Sequence, residues 1–256
     1  MENSFLLFSL VGFLAQLVDG ALGMAYGVVA SSVLLSFGVA PAVASATTHF
    51  AEVFTTGASA GSHIWNRNVN WKMFAALAPA GVIGGVLGTY VLTSFDGDVL
   101  KPFIALYLAV AGVWIVARGL AGPVTLREPT ARALAPLGGA GGFIDAVGGG
   151  GWGPSVTTAL IGSGAAPRTT IGTVNTAEFF LTVAVSAAFL TALLTGNWEA
   201  GGITGHLAAA GGLIVGGVLA APLAGYVVKI IPARQLMLTV GVLILCLAVY
   251  QTWRLI

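Results

Sequence analysis

The chain has 256 residues, of which 57% are hydrophobic and 7% charged, with a mean hydropathy of +0.96 and a net charge of +1. A soluble domain carries about 25% charged residues, and ten basic plus nine acidic side chains cannot coat a chain of this length. The composition excludes a soluble globular protein, a disordered chain and a basic nucleic-acid binder.

The first half reads as five apolar segments, roughly 4–18, 24–38, 41–64, 71–94 and 100–118. Met1-Glu2-Asn3-Ser4 lacks the basic residues of a cleaved signal peptide, so the first segment is expected to stay in the mature protein. A break running from Asp19 to Gly27 separates the first two segments, which are only about 12–15 residues long and read as broken or re-entrant helices. Pro41 suits the first turn of the third. Along that segment His49, Glu52 and Thr56 fall on one helical face. Gly57-Ala-Ser-Ala-Gly61, with His63 nearby, matches a nucleophile pattern that needs a strand–turn–helix setting, which an apolar helix does not offer. Asn70-Trp71 opens the fourth segment, and Trp71 reads as an interfacial anchor.

The second half has segments at roughly 131–145, 152–163, 167–194, 200–228 and 233–254, and it repeats the first. At an offset of 126 residues, Asp19 to Phe54 aligns without a gap on Asp145 to Phe180, and eleven of 36 positions are identical. The identical pairs include Asp19/Asp145, Gly23/Gly149, Gly27/Gly153, Pro41/Pro167, Thr47/Thr173 and Glu52/Glu178; Ser31/Thr157, Ser32/Thr158 and Tyr26/Trp152 are near matches. Asn197-Trp198 repeats Asn70-Trp71. With so few acids in the chain, biased composition does not pair Asp with Asp and Glu with Glu. Cys246, the only cysteine, lies in an apolar run and reads as packing.

The last three segments of each half reach the ~20 residues that cross a bilayer. Bases mark cytoplasmic loops. Arg67 and Lys72, then Arg118, Arg127 and Arg132, then Arg168, then Lys229 and Arg234 put four loops inside; Asp96, Asp98 and Glu199 mark loops outside. Lys101 falls in an outer turn, and Arg254, at the outer end, violates the rule. The expected fold is an all-α polytopic membrane protein with two homologous halves, 1–120 and 131–256, joined by a 121–130 linker. Each half has a broken, re-entrant helix pair plus three transmembrane helices, the halves are inverted repeats, and both termini lie outside. A parallel arrangement of eight spans is the alternative.

Inverted repeats with discontinuous helices put the substrate near the midplane, where the breaks of the two halves meet. A new helix after each break offers free N–H groups and a positive dipole end, an anion site that needs no Lys or Arg. The candidate substrate-binding residues are therefore Gly23, Met24, Tyr26, Gly27 and His49 in the first half. In the second they are Gly149, Gly150, Gly151, Trp152, Gly153 and Asn175. Asp19 and Asp145 suit capping of the free N–H groups, with cation binding or proton carriage as the other role. Glu52 and Glu178 either hydrogen-bond broken backbone or mark a transport pathway. Tyr26 and Trp152 line the site or pack.

The duplicated unit resembles the TauE/SafE family of membrane permeases, also called sulfite exporter family proteins. The resemblance rests on the segment Asp19 to Gly27, on Ala40-Pro41 with Thr47 and Glu52, on Asn70-Trp71, and on their second-half copies. It implies a secondary transporter of sulfite, an organosulfonate or another small sulfur-containing anion in the bacterial plasma membrane. Leu22 and Met24 stand where glycines are usual in the family, so the second break is expected to approach the substrate more closely. No enzymatic activity, cofactor, metal site or nucleic-acid partner is expected. A proton or sodium ion is the expected coupling partner, with Glu52 and Glu178 first and Asp19 and Asp145 second as its carriers. An anion channel, or a cation transporter using the four acids as ligands, is the alternative.

Overall fold

A computed structural model describes residues 2–121, 127–198, 203–230 and 232–253. Glu199, Arg254 and positions 122–126 of the linker lie outside them, as do the side chains of Asp98, His206 and Lys229. All the regular secondary structure of the described residues is helical. In chain order they form α1 (Glu2–Leu22), α2 (Tyr26–Ser36), α3 (Pro41–Trp65), α4 (Trp71–Ser94), α5 (Gly97–Leu120) and α6 (Ala131–Gly148). A π-helical turn, Gly153–Thr157, then leads into α7 (Thr158–Gly162), followed by α8 (Pro167–Leu194), α9 (Ile203–Ile230) and α10 (Ala233–Trp253).

Local chemistry explains the boundaries. Pro41 and Pro167 sit in the first turn of α3 and α8, where no amide proton is missed. The Asn70 side chain caps α4 by accepting from the amides of Lys72 and Met73, both at 3.1 Å. The breaks fall later than the sequence pattern places them. Helix α1 runs through Asp19 to Leu22, and α6 runs through Asp145 to Gly148. The chain leaves the helix only where φ turns positive: +66° at Gly23 and +115° at Ala25, then +72° at Gly149 and +140° at Gly150. The paired short segments are thus unequal, one long helix followed by one short one.

Among the described residues, four helices are long and apolar enough to cross a membrane by length and composition: Phe5–Leu22, Trp71–Ser94, Val99–Leu120 and Pro167–Leu194. The first had been expected to fall short. Helix α3 has 25 residues but is less apolar, because its buried face carries Thr47, Thr48, His49, Glu52, Thr55 and Thr56. Shorter apolar stretches are described in α9 and α10, Leu207–Leu223 and Met237–Trp253.

Each short helix doubles back along the long one before it. The Phe8 ring near the start of α1 meets Phe37 at the end of α2, with centroids 5.9 Å apart. The amide of Arg127, just before α6, donates to the carbonyl of Gly164, just after α7, at 2.7 Å. The other ties at this end are Arg168 Nε to Asn68 Oδ1 at 2.7 Å and the Asn70 amide to Thr173 Oγ1 at 2.8 Å. Three of the base-bearing loops expected on the cytoplasmic side therefore lie together.

Helix α1 packs on α9, α4 on α6, α5 on α10 and α3 on α8, with α4 also against α8 and α3 against α9. Glycines bring the backbones together. A Cβ at Gly142 would collide with the Gly81 carbonyl, and one at Gly12 would lie 2.5 Å from the Leu213 carbonyl. Small residues of this kind are how helices associate in lipid, where apolar surface gives no preference for a protein partner. Large apolar side chains cover the outside: Leu6, Leu10 and Leu14 on α1, Ile83 and Leu87 on α4, Phe103 and Leu106 on α5. Cys246 is exposed on α10 near Val242, Leu243 and Val249, so it faces outward and not into the packed interior.

Gly142→Val should overpack the α4–α6 contact and destabilise the protein by about 1–3 kcal/mol. Gly61→Ala, with nothing within 4 Å of the added methyl, should be neutral or gain up to about 1 kcal/mol from helix propensity. Thermal unfolding of the two purified variants followed by size-exclusion chromatography checks both.

Candidate functional site

The two breaks meet inside the bundle. A Cβ at Gly27 would lie 2.6 Å from the Gly150 Cα, and one at Gly153 would lie 2.5 Å from the Met24 Cα. Thr157 Oγ1 donates to the Gly23 carbonyl at 2.8 Å, and Thr158 Oγ1 reaches Met24 Sδ at 3.4 Å. Tyr107 on α5 donates its hydroxyl to the Gly150 carbonyl at 3.2 Å. The chain departs from helical geometry here, and these side chains satisfy part of the backbone it frees.

The aspartates at the ends of α1 and α6 take the amides beyond the breaks. Asp145 Oδ1 accepts from the amides of Gly151 at 2.6 Å and Trp152 at 2.8 Å. Asp19 Oδ1 accepts from the amide of Tyr26 alone, at 3.4 Å. Both carboxylates are buried. The capping geometry matches one of the two roles read from the sequence, although each aspartate reaches forward from the preceding helix.

Asp145 has a further partner. Its Oδ2 lies 2.9 Å from His49 Nε2, with both side chains at most 1% exposed. His49 Nδ1 contacts the Ser45 carbonyl at 2.8 Å, and a carbonyl only accepts, so Nδ1 carries a proton. The close contact on the other side of the ring then holds a second proton between Nε2 and Oδ2, since two lone pairs at that distance would repel. Ser45 Oγ bonds the Ala146 carbonyl at 2.6 Å and fixes the arrangement. The exchanged positions, Asn175 and Asp19, do not form this pair. Asn175, the counterpart of His49, donates to Ser59 Oγ at 3.0 Å, and its own oxygen is buried without a partner.

Glu52 and Glu178 are buried, and each has one carboxyl oxygen, Oε2, without a hydrogen-bond partner. The other oxygen of Glu52 faces Gly27, where a Cβ would lie 2.5 Å from it. Thr56 and Thr182, one turn further along α3 and α8, approach each other with their hydroxyl oxygens 3.5 Å apart.

Tyr26 and Trp152 are both buried. Their polar ends bond backbone carbonyls: Tyr26 OH to Leu213 at 2.9 Å, Trp152 Nε1 to Val174 at 3.1 Å. Ser59 of the Gly57–Gly61 motif sits within α3. The structure therefore gathers Gly23, Met24, Gly27, Gly150 and Gly153 at one contact, with Glu52 against it and the Asp145–His49 pair beside it. Three of the N–H groups expected to be free for an anion, those of Tyr26, Gly151 and Trp152, are taken by the protein's own carboxylates, and the two backbones touch. This conformation leaves no room for a substrate at that contact.

Ser45, Tyr107 and Thr157 were not singled out as site residues. Thr157 was traceable as the repeat partner of Ser31, while nothing in the local sequence marks Ser45 or Tyr107.

The profile described as Sulfite exporter TauE/SafE matches residues 8–251 of the chain. The chain belongs to the TauE/SafE family. It is 43% identical over 230 residues to a Bacillus subtilis (strain 168) protein named "Probable membrane transporter protein YtnM", a match covering 88% of this chain and 74% of that protein. No solved structure matches the chain.

The two aspartates of this TauE/SafE protein carry unequal structural loads. Asp145→Ala strands two amides and His49, and should cost on the order of 3–5 kcal/mol. Asp19→Ala loses one long bond and should cost about 1 kcal/mol. Thermal melts in one detergent give the order, and equal losses would contradict the geometry.

Proposed function

We propose that this protein is a secondary transporter that moves a small sulfur-containing anion, such as sulfite or an organosulfonate, across the plasma membrane. One observation carries the reading: two helix breaks meet in the interior of a membrane protein, with a buried carboxylate seated on the amides of each. The name of the family, sulfite exporter, supports the anion class, and the name of the Bacillus subtilis relative, a probable membrane transporter, supports transport.

The two halves act as inverted repeats, 1–120 and 131–256, about a 121–130 linker. Several contacts fit a two-fold exchange of the halves, which either arrangement has, and the hairpins favour inversion. Thr56 and Thr182 are counterparts at the 126-residue offset and touch each other, as residues on a two-fold axis must. The Gly27–Gly150 contact has its exchanged copy in Gly153–Met24. Packing of α1 on α9 exchanges into α6 on α4. A hairpin that returns to its own side inverts the next half, whereas a single broken span would not.

The carboxylate of Asp145 occupies the seat of the anion while the site is empty. Opening the contact between the hairpins and moving Asp145 away frees the amides of Gly151 and Trp152 for the substrate, with the Tyr26 amide freed likewise from Asp19. The proton held between Asp145 and His49 makes that exchange possible without leaving a bare charge in a dry interior, which costs several kcal/mol. Glu52 and Glu178, each with an unpartnered buried oxygen, carry the coupling proton. The anion is not chemically converted.

In proteoliposomes, uptake of labelled sulfite or sulfoacetate should saturate with concentration and depend on the pH gradient. Glu52→Gln and Glu178→Gln should each lower the rate at least tenfold and flatten its pH dependence. Unchanged transport with an unchanged pH profile in both variants would remove the glutamates from coupling. Flux that rises linearly without saturation would make the protein a channel.

A further inference from the structure

A cavity of about 420 Å³ lies where the three base-bearing loops meet, away from the contact between the breaks. Helices α4, α6 and α8 all begin at its wall. The start of α4 is capped by Asn70. The starts of α6 and α8, with Thr130 and Ala166 at the capping positions, have no side-chain cap. The first amides of a helix have no acceptor within it, so two positive dipole ends without a side-chain cap face the cavity.

Side chains point the same way. Among the described residues, Lys72 and Arg127 line the cavity with Glu128 as the one acid, so their lining carries an excess positive charge. Thr170, in the first turn of α8, also forms part of the wall. It is 0% exposed, and its hydroxyl has no hydrogen-bond partner. A buried hydroxyl without a partner costs about 1–3 kcal/mol, and a ligand oxygen that presses into the wall far enough to reach it removes that cost. The Arg127 amide is tied to Gly164, which fixes the loop carrying the guanidinium over the mouth.

We propose that this cavity is a second anion site that binds a tetrahedral oxyanion of the sulfate or phosphate type, held by Lys72, Arg127, Thr170 and the first amides of α6 and α8. The source is either a free oxyanion or the phosphate of an anionic phospholipid. Exposed Trp71 beside Lys72 is the kind of aromatic residue that sits at headgroup level. The site shares no residue with the meeting point of the breaks, so it stands on binding alone, whatever the transported substrate.

The test titrates sodium sulfate into the purified full chain in a neutral detergent at constant ionic strength, followed by calorimetry. Saturable binding is expected. The double variant Lys72→Gln/Arg127→Gln should weaken it at least tenfold and Thr170→Val several-fold, while Arg234→Gln should leave it unchanged. Arg127→Lys, which keeps the charge, should retain most of the affinity and serves with thermal melts as the folding control. Repeating the titration in phosphatidylglycerol and phosphatidylcholine nanodiscs separates the sources. Sulfate binding lost only in phosphatidylglycerol assigns the cavity to a lipid phosphate, and equal binding in both assigns it to the free ion. Absence of saturable sulfate binding in detergent, or binding that the double variant retains in full, overturns the proposal.

Discussion

Irregular backbone inside a bilayer has no water to bond, and the protein must satisfy it from its own atoms. The rest of this structure follows from that constraint. Two long helices stop in mid-bundle and each is followed by a short return helix, which leaves amides and carbonyls at depth. Asp145 answers for Gly151 and Trp152, Asp19 for Tyr26, Thr157 for the Gly23 carbonyl and Tyr107 for that of Gly150. The breaks are buried against each other, which shields both at once and accounts for the glycines: at Gly27 and Gly150 a side chain would occupy the space of the opposing backbone.

The same contact makes the two halves unequal partners. At the second break Asp145 makes three short interactions, two to amides and one to His49, while at the first Asp19 makes a single long one and Thr157 holds the Gly23 carbonyl. A repeat that had stayed symmetric would place a second His opposite Asp19, but Asn175 stands there and bonds Ser59 instead. Stability is therefore concentrated at Asp145. The first break also holds a strained residue, Ala25 at φ +115°, a conformation that costs a non-glycine residue roughly 1–3 kcal/mol. Movement between the hairpins is easiest where the bonds are fewest.

Much of the fold was legible in the sequence. Prolines start α3 and α8, Asn70 caps α4, and the bases of three loops lie together at one end, because helix starts and loop charges are local properties. The aspartate and glutamate pairs were legible because acids are rare in this chain and repeated ones stand out. Less legible was where each broken helix ends. Asp19 and Asp145 look like the last residues before a new helix, yet the chain stays helical for three more residues until a positive φ is needed. The acid thus reaches forward across the break.

Composition alone determined that the chain is a membrane protein, and the aligned residues at the 126-residue offset marked both glycine-rich breaks, since hydropathy, glycine content and residue identity are carried residue by residue. Only the tertiary structure decided that His49 pairs with Asp145 across 96 residues, that three amides after the breaks are already occupied, and that Cys246 faces outward. Those outcomes depend on which helix faces present themselves when the two halves pack. That orientation is set by the sum of many glycine and side-chain contacts between distant segments, and no local pattern encodes it.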